Sequence, residues 1–126
     1  MTFRLLLLAL AGALGTLSRY GLGRLIQQTS AASFPVGTLA VNALGCFAFG
    51  LIWAASEEQT WLDEQSKLFI LVGFLGAFTT FSTFAMDTTD LFRNGQWLSA
   101  SLNMFLSNGL GIAAAFAGVG LVRVLR

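Results

Sequence analysis

Thr79, Thr80, Ser82 and Thr83 place four hydroxyls within five residues, inside the string GFLGAFTTFSTF from Gly73 to Phe84. They stand among β-branched and aromatic groups that form helix poorly, and Gly73 and Gly76 just upstream weaken it further. In the middle of an apolar run, this composition predicts a non-helical break. At membrane depth, broken backbone persists only where its freed groups are buried in protein or face a water- or ion-filled cavity. Freed carbonyls can hold a cation, and hydroxyls can donate to an anion. A plainer reading has each hydroxyl bonding back to the preceding turn while the phenylalanines face lipid or a neighbouring helix. That suffices for any single hydroxyl. The cluster with its two glycines points instead to a site, because discontinuous helices recur at ion sites near the bilayer midplane.

Other polar residues fall inside apolar windows. Asn42, in GTLAVNALG with Gly37 and Thr38, offers two donors without a buried charge, as an ion ligand or as a tie between helices. Asn103 and Ser107 are four residues apart and share a helix face, and with Asn108 they allow a polar track along one side of the last span. Arg19, two turns inside the first span, either snorkels to the interface or concentrates anions at a pore mouth. The chain has no histidine. Its six carboxylates are read at or beyond the span ends, so no intramembrane proton relay is evident. Without a nucleophile and base pair, an enzyme is not expected.

These residues must be carried by helices in lipid. Of 126 residues, 56% are hydrophobic and 10% charged, too few charges to wrap a soluble globule. The charges divide the chain into four apolar windows, Phe3 to Ile26, Val36 to Ser56, Leu68 to Phe92 and Gln96 to Val122, the third charge-free to Met86 with Asp87, Asp90 and Arg93 marking its exit, and each is long enough to span a bilayer. Gln27 to Phe34 is a polar connection ending at Pro35, Glu57 to Lys67 is the longest polar loop, and Asn94 with Gly95 makes a short turn. Trp53, Trp61 and Trp97 fall near proposed ends, where indole rings anchor at the interface. The first window runs too far and lacks a small-residue cleavage site, so it reads as a retained helix and not a signal peptide. Long apolar windows without alternation argue against a barrel. Most of the 14 glycines lie in the spans and predict close helix packing. A net charge of +1 gives no field for nucleic acid, and the single cysteine, Cys46, allows no disulfide within the chain.

GTLAVN from Gly37 to Asn42 and GAFTTFSTF from Gly76 to Phe84, within a four-span chain of this length, resemble the Fluc or CrcB fluoride channels of microbes. The residues by themselves indicate only a small ion; the resemblance supplies fluoride. It implies an antiparallel, dual-topology homodimer in the bacterial inner membrane, with two fluoride pathways, a broken third helix and a central structural sodium. Asn42 would line a pathway, and Phe81 and Phe84 would turn their ring edges to the ion. Thr38, Ser82 and Thr83 would be polar positions nearby, Ser107 would lie on the track of the fourth span, and Arg19 would stand in the vestibule. The backbone carbonyls of Gly76 and Thr79 from both subunits would bind the sodium. Gly111 stands where some relatives carry serine. The competing readings are a small multidrug-type exporter, which needs an intramembrane carboxylate, and an accessory subunit without transport.

Dual topology also follows from charge. Four spans put both termini on one side with the Glu57 to Lys67 loop. That side carries Arg4, Lys67, Arg123 and Arg126, against Arg24, Arg93 and a snorkelling Arg19 on the other. Lysines and arginines near span ends set orientation, and four against three is a small bias. An antiparallel pair would bury polar faces between subunits. With Cys46→Ala and a single cysteine at Gly95, about half the protein in intact cells should react with an impermeant thiol reagent. Labelling that is all or none would show one orientation.

Overall fold

The computed structural model describes residues 1–58 and 62–125, and among these every regular element is a helix. Helix α1 (Thr2–Gln28) is followed by a connection folded back by Gln27, whose Nε2 donates to the Phe34 carbonyl at 3.1 Å. The Gln27 Oε1 accepts from the Gly37 N–H at 3.0 Å, satisfying one of the orphan donors that begin α2 (Val36–Glu58). Pro35 is buried just ahead of that helix.

The third span opens where Asp63 caps the Ser66 N–H at 2.8 Å, starting α3 (Glu64–Lys67). Hydrogen bonds from Ser66 hold the exposed Asp63 carboxyl below its usual pKa. Leu68–Leu75 is a π-helix, passing into α4 (Gly76–Phe78). Thr79 and Thr80 take extended backbone, with ψ of 155° and 116°, before α5 (Phe81–Arg93). Gly95, at φ +72°, makes the turn into α6 (Trp97–Val124); this left-handed conformation favours glycine.

Four spans therefore match the four apolar windows, but their ends differ. Helix α1 continues through Gln28, and Glu64–Lys67, expected in the polar loop, is helical because Asp63 caps it. Since α5 continues to Arg93, Asp87 lies on a helix six residues before its end, which corrects its placement at the exit of a span. Trp61 lies outside the described residues; Trp97 begins α6 and meets Phe92 edge to face at 5.2 Å.

Helices α2 and α6 form the most extensive contact. A Cβ on Gly50 would overlap the Ala115 carbonyl, and one on Gly118 would overlap that of Phe47, so glycine on each helix admits the other's backbone. Helix α1 packs on the first half of the third span, where Gly15 meets the Phe74 carbonyl. Val41, Leu71, Leu75 and Phe78 form the buried core between these elements. Beyond Thr80 the third span turns away from α1, and α5 packs on α6. Leu5, Leu6, Leu10, Leu14 and Leu17 of α1, and Leu98, Phe105, Ile112 and Phe116 of α6, remain largely exposed, as apolar faces in lipid or against another chain do.

Candidate functional site at Thr79 and Thr80

In an α-helix each carbonyl accepts from the N–H four residues on. Here that ladder is redirected. The Thr79 N–H still reaches the Leu75 carbonyl at 3.0 Å. The Thr80 N–H donates instead to Asn42 Oδ1 at 2.8 Å, and the Thr83 N–H to Thr80 Oγ1 at 3.2 Å. The carbonyls of Gly76 and Thr79 thereby lose the donors a continuous helix would give them. The Ala77 carbonyl gains a substitute, Arg19 Nε at 3.2 Å, while the Thr80 carbonyl, as the N-cap of α5, accepts from Asn42 Nδ2 at 3.0 Å in addition to its helical donor.

Asn42 thus holds Thr80 in both directions, so the helix-tying reading of this residue describes two of its contacts. Arg19 is half-buried and joined to the end of α4, which ties its guanidinium to the third span. Thr79 does bond back to its preceding turn, donating to Leu75 O at 3.1 Å, as do Thr88 and Thr89. Thr80 does not; its hydroxyl donates to Thr83 Oγ1 at 3.0 Å.

Two clefts flank this point. The first, of about 210 Å³, is lined by Asn42, Cys46, Thr80, Phe81, Phe84 and Ser107, and among the described residues no charged side chain borders it. The Phe81 and Phe84 rings lie 5.4 Å apart with their planes inclined by 52°, and Phe81 is 77% exposed. The second, of about 420 Å³, is bordered by Arg19, Arg24, Thr38, Thr83 and Asp87 as well as Thr80. Thr80 borders both, so the extended segment stands between a charged cleft and an uncharged one. Thr38 donates to the Asp87 carboxylate at 2.7 Å, joining α2 to α5. Ser82 is exposed, 3.4 Å from the Thr80 hydroxyl, and borders neither cleft. Gly76 is exposed on the outer face of α4.

The polar track on α6 is partly turned inward. Asn103 is buried and donates from Nδ2 to Thr88 Oγ1 at 2.9 Å, while Ser107 Oγ donates to Asn103 Oδ1 at 3.2 Å. A Cβ on Gly111 would lie 3.5 Å from Cys46 Sγ, an ordinary contact, so a small side chain fits there. Sequence reasoning missed Cys46, Asp87 and Thr88 as members of this region. Cys46 carried one usable signal, its four-residue spacing from Asn42, which puts both on one face of α2.

The model of the CrcB-like protein family, described as Camphor Resistance (CrcB), matches residues 6–119. A protein of Nitrosococcus oceani named fluoride-specific ion channel FluC is 47% identical over 118 residues, 94% of each chain. Proteins of the same name from Desulforapulum autotrophicum and Nitratidesulfovibrio vulgaris are each 45% identical. They cover 99% and 97% of this chain, and 100% and 98% of their own lengths.

Asn42→Ala should leave the Thr80 N–H without its acceptor, remove one of two donors from the Thr80 carbonyl, and lower stability by about 1–3 kcal/mol. Faster hydrogen exchange at the Thr80 amide should accompany the lower melting temperature. Cys46→Ala, one turn along the same face, should cost much less. Wild-type melting of Asn42→Ala would show that the extended segment holds without this pair.

Proposed function

This chain belongs to the CrcB-like family, a multi-pass membrane protein with four spans, and from that membership we propose that it is a fluoride channel and not an enzyme. The channel lets fluoride leave the cell passively. It is built from two copies in opposite orientations, with two pathways and a central structural sodium. The observation that carries the reading is the uncharged cleft in which Phe81 and Phe84 face Asn42 and Ser107.

A phenyl ring is positive at its edge, so the pair can meet a small anion without a fixed charge. Conduction requires a site that replaces hydration yet releases the ion, and neutral donors meet that need better than a buried arginine would. Arg19 and Arg24 on the wider cleft would raise the local anion concentration, with Thr38 and Thr83 as hydroxyls along the approach. Ser82 supplies a further hydroxyl beside Thr80. The broken third helix is part of the same proposal: its extended Thr79 and Thr80 let α5 carry the rings away from α1 and towards α6.

Self-association is supported by the exposure of Phe81 at 77%, which leaves the ring cleft open on one side of a single chain. The Gly76 and Thr79 carbonyls suit sodium because both have lost their helical donors, and carbonyl oxygens can replace an alkali ion's hydration shell. Two subunits would contribute one pair each, and the ion would neutralise carbonyl dipoles that otherwise face one another.

The test is ion efflux from liposomes containing only this protein, with no pH gradient. Fluoride should leave rapidly and chloride little; equal loss of both would reject selectivity, and no flux would favour an accessory subunit. Efflux that appears only with a proton gradient would favour an exporter using Asp87. In the same assay Phe81→Ile and Phe84→Ile, which keep apolar volume but remove a ring edge, should cut fluoride flux at least tenfold (~1.4 kcal/mol) while the dimer survives. Asn42→Asp should be nearly silent, since it sets negative charge in the anion's path. Wild-type flux in these variants would remove them from the pathway, and undiminished flux from sodium-free protein would remove the cation.

A further inference from the structure

We infer that Asn103, which borders neither cleft, tunes fluoride binding by holding the Ser107 proton away from the pathway. This rests on the channel reading of the ring cleft. The hydrogen bonds run in one direction from α6 into α5. Thr88 Oγ1 donates its only proton to the Phe84 carbonyl at 2.8 Å, and that carbonyl can only accept. The Thr88 oxygen therefore faces Asn103 as an acceptor, and the amide must present Nδ2 to it, at 2.9 Å. The amide oxygen is left towards Ser107, whose hydroxyl donates to it at 3.2 Å. At 1% exposure the amide cannot turn over without burying unmatched groups.

Ser107 thus shows the cleft oxygen lone pairs while it rests, and these repel an anion. To bind fluoride it must swing its proton from Asn103 Oδ1 into the cleft, leaving that buried oxygen without a partner. The bond to be broken is the longest of the three. Fluoride consequently competes with an internal acceptor for one donor, and each binding event carries the cost of the bond it replaces. Asn103 is a positioning residue: it acts on the ion through Ser107, and it keeps the site weak enough to release what it binds.

The test is the fluoride dependence of efflux from liposomes containing the full chain. Two variants release the Ser107 proton by different routes. Thr88→Val removes the acceptor that fixes the amide, so the amide can turn its Nδ2 to Ser107. Asn103→Leu with Thr88→Val replaces the buried polar pair by apolar groups of similar size, which limits the folding penalty. In either, the half-saturating fluoride concentration should fall about threefold to tenfold, the range one neutral hydrogen bond gives. With Ser107→Ala added, neither change should shift it further, whereas a general loosening of α5 against α6 would act with or without the hydroxyl. An unchanged or raised half-saturation in either variant, or a shift that persists without the Ser107 hydroxyl, would each overturn the inference. Failure of the wild-type protein to pass fluoride would instead overturn the channel reading on which it rests.

Discussion

Asn42 and the backbone of Thr80 exchange two hydrogen bonds across a gap between helices, and the placement of both clefts depends on that exchange. A backbone N–H and C=O taken out of a helix inside a membrane cost several kilocalories per mole each if nothing replaces their partners. One amide side chain supplies the acceptor that the Thr80 N–H has lost and adds a second donor to the Thr80 carbonyl, which also begins the α5 ladder. It can do so because it carries a donor and an acceptor side by side, as a peptide group does. Had residue 42 been a serine, one hydroxyl could not match both groups with the same reach.

Once Thr80 is held, neighbouring features acquire a reason. Its hydroxyl is free to cap α5 through the Thr83 N–H, so the next helix starts at once. Gly45, one turn beyond Val41, has no Cβ because the Thr79 methyl and the Phe78 ring occupy that space. Arg19 sits on the carbonyl of Ala77 at the end of α4, where the helix dipole and the last carbonyls favour a cation. Charge is thereby kept to one side of Thr80 and neutral groups to the other, although both sides are built by the same few residues.

The four spans were legible because windows with few charges leave few alternatives in lipid, and GAFTTFSTF marked the place where the third span leaves helical backbone. The roles of individual groups were less so. Nothing in the spacing of Asn42 reveals that its partner lies 38 residues away on the backbone, because side-chain to backbone pairing across helices leaves no periodic trace. The π-helical Leu68–Leu75 was invisible for a related reason: LFILVGFL is apolar on every side, so a change in hydrogen-bond register moves no polar residue to a conspicuous face. Asp87 was misplaced because a charge was taken to mark the end of a span, whereas a hydroxyl on α2 receives it. Thr88 went unnoticed since a threonine near a helix end looks like surface, and only the fold places Asn103 against it.

All the contacts that hold the extended residues come from within one chain: Arg19 from α1, Asn42 from α2, and Thr80 with Thr83 from the third span itself. These four bonds need no second copy. Association of two such chains would join surfaces already shaped, with little ordering entropy left to lose.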